Sequence, residues 1–164
     1  MLRIHSQGPV ATRFPLAFAE RGHERNEAVS CDSGDEEFVV ISDAYAQLGG
    51  LVRESVLSRL LGESRQGDDT FLACLIRAGA VFAFTWRGNV WVAMFQFDPS
   101  DLSVRPGMRR VLDEFAGAFD GWALAEWFAT SNSWLGYRRP AEVLGEDLPA
   151  LLNAARADRF IATG

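Results

Sequence analysis

The stretch Val81 to Phe97, VFAFTWRGNVWVAMFQF, decides the fold class. Aromatic and β-branched residues dominate it, and Arg87-Gly88-Asn89 interrupts it. Ala80–Trp86 and Val90–Asp98 therefore read as two strands joined by a short turn. The segments on either side carry three- and four-residue apolar spacings instead. The expected fold is α+β and mainly α: a helical N-terminal part with a candidate helix-turn-helix, one β-hairpin, and a C-terminal group of four helices. The hairpin is open to two uses. It can be the wing of a winged helix, or the edge by which two copies pair into one sheet as a homodimer, which would bury its aromatic face.

Upstream of the hairpin, residues 1–37 mix glycine, proline and charge and end in the acidic run Asp32-Ser-Gly-Asp-Glu-Glu37. They read as a weakly ordered extension. Residues 38–98 form the next unit. Its helical pattern has Ser42 and Asp43 as candidate N-caps and breaks at Gly49-Gly50 before a second helix from about Val52 to Leu61. With Gly50 as the turn, Ala46, Leu51 and Val56 partly meet the packing needs of a helix-turn-helix, whereas Arg59 falls where an apolar residue is expected. An ordinary helical hairpin in the core is the competing reading. If the unit reads operator DNA, Arg53, Ser55 and Arg59 are the expected contacts. Asp68-Asp69-Thr70 can cap a third helix, Phe71 to Ala78.

Downstream, residues 99–164 show four helical segments. The first runs from about Val104 or Pro106 to Phe119. Asp120 caps the second, whose Trp122, Leu124, Ala125, Trp127 and Phe128 read as core. Pro140 opens the third, at the helix position where its missing N–H is no loss. Asp147 caps the fourth, Leu148 to Phe160, with an apolar stripe of Leu148, Leu151, Leu152, Ala155 and Phe160 and with Arg156 and Arg159 beside it.

Composition closes off several functions. The chain has 164 residues, a net charge of −6 and sixteen basic residues, every one of them arginine. Without lysine there is neither a P-loop lysine nor a Schiff-base lysine. The acidic balance disfavours non-specific adhesion to nucleic acid or anionic lipid. Cys31 and Cys74 stand apart from other cysteines and from histidine, so they read as reduced thiols rather than a disulfide or a zinc site. His5 and His23 lie in the unpatterned N-terminal stretch, and neither a nucleophile elbow nor a zinc-protease motif is present. The expectation is a cytoplasmic protein that is not an enzyme, with no catalytic residues, no metal and no cofactor.

Between the second and third C-terminal helices lies Asn132 to Leu144, NSWLGYRRPAEVL. Asn132 suits a helix stop and Gly136 a second sharp turn, which leaves Trp134 and Leu135 either buried or bound. The order Trp127, Asn132, Leu135, Gly136, Arg138, Pro140, Leu144 resembles the C-terminal toxin-binding domain of the Xre/MbcA/ParS antitoxins over residues 104–164. Phe95-Gln96-Phe97, just ahead of that domain, looks like relatives of the same group. Ser131 departs from the pattern where proline is expected, and Tyr137 where a second glycine is common. The resemblance implies an antitoxin that neutralises a cognate toxin, commonly a RES-type enzyme that consumes NAD, and that represses its own operon. A stand-alone regulator or adaptor is the alternative. The expected partner contacts are Asn132, Trp134, Leu135, Tyr137, Arg138, Arg139, Arg156 and Arg159, with the arginines suited to bidentate pairing and the aromatics to anchoring an interface.

Overall fold

A computed structural model describes residues 33–64 and 70–164. The readings made for residues 1–32, for Cys31 and for the caps Asp68 and Asp69 lie outside the described residues. In chain order the elements are α1 (Ser33–Ala46), β1 (Leu51–Arg53), α2 (Glu54–Ser64), α3 (Phe71–Arg77), β2 (Phe84–Trp86), β3 (Asn89–Ala93), α4 (Met108–Glu114), α5 (Gly121–Ala129), α6 (Pro140–Val143) and α7 (Leu148–Thr163). The chain is thus α+β and mainly helical. No helix among the described residues is long and apolar enough to cross a membrane.

Side-chain alternation along the sheet explains the layering. The three strands pair antiparallel in the order β1-β3-β2, with Arg53 opposite Trp91 and Trp91 opposite Phe84. Successive residues of a strand face opposite sides. Leu51, Phe84, Trp91 and Ala93 accordingly join a large core with α1, α4, α5 and α7, while Val52 and Val92 join a smaller one with Leu57 and Leu61 of α2 and Leu72 of α3. The hairpin turn is tighter than the sequence suggests. Arg87 and Gly88, at φ 47° and 71°, form a two-residue loop, and both positive values match the turn that follows strand twist.

Several expectations need correction. α1 begins at Ser33, inside the stretch read as an extension, and runs straight through Ser42 and Asp43, which therefore cap nothing. Phe38 stacks on Trp86 with ring centroids 3.8 Å apart, and Asp35 pairs with Arg87, so the tip of the hairpin holds the start of α1. The two helices expected to meet at Gly49-Gly50 do not meet, because Leu51–Arg53 forms a strand and α2 packs on α3 instead. Helix, strand, two helices and hairpin, with sheet order β1-β3-β2, is the element order of a winged helix, but the packing differs: α1 lies in the large core with α5, across the sheet from α2 and α3. Ala80–Ala83 is not strand: the fully buried Gln96 side chain accepts from the Phe82 N–H (2.8 Å) and donates to the Phe82 carbonyl (3.0 Å). The boundary expected near residue 98 does not separate two cores, since Ile41, Tyr45, Phe82 and Phe95 share one with Phe128 and Leu151.

Two contacts fasten this arrangement. A Cβ on Gly121, at the start of α5, would lie 1.9 Å from the Ala83 carbonyl oxygen beside β2. Gly121→Ala forces α5 off the sheet edge and is expected to cost about 1–3 kcal/mol, read as a lower urea midpoint at unchanged slope. The second contact is the Tyr45 hydroxyl, which donates to the Ala125 carbonyl at 2.6 Å and joins α1 to α5. Burial raises the Tyr45 pKa well above its usual 10.0. The unfolded chain therefore loses this proton at a pH where the folded chain keeps it. Stability contributed by the protonated hydroxyl is complete below about pH 10 and falls as pH climbs above it, by about 1.4 kcal/mol per unit until the folded group ionises. Tyr45→Phe is expected to lower stability by about 1 kcal/mol at neutral pH and to flatten that alkaline slope, measured by denaturation from pH 8 to 12.

Candidate functional site

The segment from Asn132 to Arg138 closes on itself before it displays anything. The Asn132 N–H donates to the Arg138 carbonyl (2.9 Å), and the Tyr137 N–H donates to the Asn132 carbonyl (2.9 Å). The Asn132 side-chain oxygen accepts from the Trp134 N–H at 2.9 Å and starts a single 3-10 turn, Ser133–Leu135. Leu135 points inward into the large core. Gly136 and Tyr137 then follow at φ 64° and 65°.

Beneath the loop sits Asp158 of α7, only 7% exposed. One of its oxygens accepts from the indole N–H of Trp127 (2.8 Å) and from the side-chain amide of Asn132 (2.5 Å). Three elements meet at this carboxylate: α5 through Trp127, the loop through Asn132, and α7. The loop is therefore a fixed platform. On it Trp134 is 62% exposed and Tyr137 71%, and the end of α7 beside it exposes Phe160 (75%) and Ile161 (64%). Phe160, expected on the apolar stripe of α7, stands outside it because it falls past the last buried position of the helix, Asp158.

The eight residues expected to touch a partner divide by environment. Trp134 and Tyr137 are presented outward. Asn132 and Leu135 are buried and build the loop from within. Arg138 is half-exposed and pairs with Glu146 at 2.7 Å. Arg139 is a strap: it donates to the Ala44 carbonyl at 3.1 Å, where the last turn of α1 leaves carbonyls without helical partners and the helix dipole favours a cation. Arg156 places two N–H groups on one oxygen of Glu114, at 2.9 and 2.7 Å. Arg159 is exposed and has no carboxylate partner among the described residues.

The three residues expected on DNA do not form one surface with this loop. Arg53 lies on β1 with its guanidinium 5.5 Å from the Trp91 ring centre, and Ser55 and Arg59 are exposed on α2. In this element order the helix after α2 is α3, whose exposed side carries Ala73, Cys74 and Arg77. Sequence reasoning passed over Asp158, Glu146 and Glu114. For Asp158 there was a signal: it continues the stripe of Leu151 and Ala155 at the next helical step, a carboxylate where an apolar side chain belongs. Among the described residues no group of acidic, histidine or cysteine side chains has the arrangement of a metal site. No family model, curated protein or solved structure matches the chain.

Proposed function

We propose that this chain is an antitoxin that binds and occludes a cognate toxin protein through the Trp134–Tyr137 loop and the adjoining end of α7. One observation carries the reading. Tyr137 holds a left-handed backbone at φ 65° while its side chain is 71% exposed. A bulky residue there costs of order 1–3 kcal/mol and gains little packing in return, and such strain collects at binding sites. Trp134 stands beside it equally uncovered, and tryptophan and tyrosine dominate the energetics of protein interfaces. The RES-type, NAD-consuming identity of the toxin rests on the resemblance of residues 104–164 alone. The mechanism is stoichiometric occlusion, with no turnover required of this chain.

Co-expression with the product of the neighbouring gene tests this, with growth, cellular NAD and co-purification recorded in the same cultures. Arrest and NAD loss with the neighbour alone, both reversed by this chain as the two co-purify, is the expected result. A harmless neighbour that does not co-purify ends the reading. The winged-helix order of α1 to β3 favours one second reading, an operator-binding regulator acting as a homodimer, alone or together with neutralisation. It requires sequence-specific binding to the chain's own upstream DNA that weakens with salt and with Arg77→Ala.

A further inference from the structure

The arginines of α4 and α7 make a second feature that the Trp134–Tyr137 loop does not use. Arg110, Arg156 and Asn153 line a notch of ≈ 220 Å³ over Leu148, Pro149 and Leu152. Arg110 is exposed and has no carboxylate partner among the described residues. Arg156 gives Nε and one terminal nitrogen to Glu114 and holds its remaining nitrogen 3.5 Å from the Asn153 side-chain oxygen, a weak contact. Glu114 thus fixes the orientation of Arg156 without using all its donors. The Asp147 carboxylate does not line the notch and caps α7, accepting from the Ala150 N–H at 2.9 Å. Two guanidinium groups and, among the described residues, no carboxylate line the notch, while Glu114 and the flanking Asp113 and Asp147 lower the charge around it. Those surrounding acids penalise a doubly charged phosphate more than a single carboxylate, and guanidinium forks match carboxylate geometry.

Position on α7 says what carries that carboxylate. Pro149, Asn153, Arg156 and Phe160 recur at steps of four, three and four and so share one face of the helix. Phe160 then lies about 6 Å along the axis from Arg156. We propose that the notch receives one aspartate or glutamate side chain of the partner protein, with an apolar neighbour of that residue packed on Phe160. This rests on the reading of the chain as a partner-binding protein and adds the chemistry that the partner must present.

The test uses the full chain labelled with nitrogen-15 and follows the arginine Nε–H signals. Glutamate capped at both backbone ends is the probe, with capped glutamine and inorganic phosphate as comparisons. Capped glutamate is expected to shift Arg110 and Arg156 saturably, with a Kd of about 1–10 mM, and to leave Arg53 and Arg109 in place. Capped glutamine should do nothing, and Arg110→Gln should remove the response while the rest of the spectrum is kept. A non-saturating drift of all arginines alike means an adventitious ion only and overturns the proposal, as does tighter binding of phosphate. Partner binding separates the two readings. If the notch saturates but the neighbouring gene product does not co-purify, the toxin reading falls and the notch stands. If the two co-purify and Arg110→Glu weakens them less than tenfold, the notch falls and the toxin reading stands.

Discussion

Replacing Trp134 and Tyr137 together with alanine is expected to weaken toxin binding by about a thousandfold and to abolish growth rescue, while the melting temperature stays unchanged. Each side chain is a large aromatic on a fixed loop, and loss of such an anchor costs about 2 kcal/mol or more, so the pair accounts for roughly 4 kcal/mol. The fold is indifferent because both residues are more than half exposed and belong to neither buried core. Tyr137→Gly sharpens the contrast. Glycine adopts φ 65° without strain, so this variant is expected to be as stable as the parent or slightly more so, yet to bind more weakly. Calorimetric titration with the purified toxin and a thermal melt of each variant are the measurements. An affinity within tenfold of the parent for the double variant would remove this loop from the interface.

That separation of stability from binding was only partly visible in the sequence. Local signals carried well where the relevant energy is local. Asp120 and Asp147 cap α5 and α7 as expected, each accepting an N–H three residues on, and Pro140 opens α6. The hairpin followed from residue type and turn chemistry, but its second strand stops at Ala93, where Met94–Gln96 forms a 3-10 turn, and does not run on to Asp98. What failed depended on partners distant along the chain. Leu51–Arg53 has nothing in its three residues that forbids helix, and it becomes strand because β3 offers an open edge. Arg139 looked like a neighbour of Arg138 with the same task, but the last turn of α1, 95 residues away, takes it as a carbonyl partner. Nothing in the sequence sets Gly121 apart, and only the approach of Ala83 makes a side chain there intolerable. At the candidate site the sequence put Trp134 and Tyr137 forward as anchors, and both are exposed. It assigned to the interface two residues, Asn132 and Leu135, that the fold uses to build the loop.

Asp158→Ala is the change expected to damage both properties at once. The buried carboxylate is acceptor to the Trp127 indole and to the Asn132 amide, and among the described residues neither donor has another acceptor. Removing it strands two buried N–H groups at about 1–3 kcal/mol each, so a loss of roughly 3–5 kcal/mol is expected, a large share of the stability of a domain this size. Asn132 also starts the 3-10 turn, so whatever fold survives should present Trp134 and Tyr137 less firmly and bind the toxin more weakly, although both aromatics remain. Asp158→Asn distinguishes hydrogen bonding from charge. Its side-chain oxygen can still accept from the indole and the amide, so it is expected to lose about 1 kcal/mol and to keep most of the binding. Urea denaturation of the three proteins, followed by titration with the toxin under conditions where each is folded, gives the comparison. An alanine variant with the parent's denaturation midpoint would mean that Asp158 does not hold the loop, and the rigidity of the platform would then have to come from the backbone bonds between Asn132, Tyr137 and Arg138 alone.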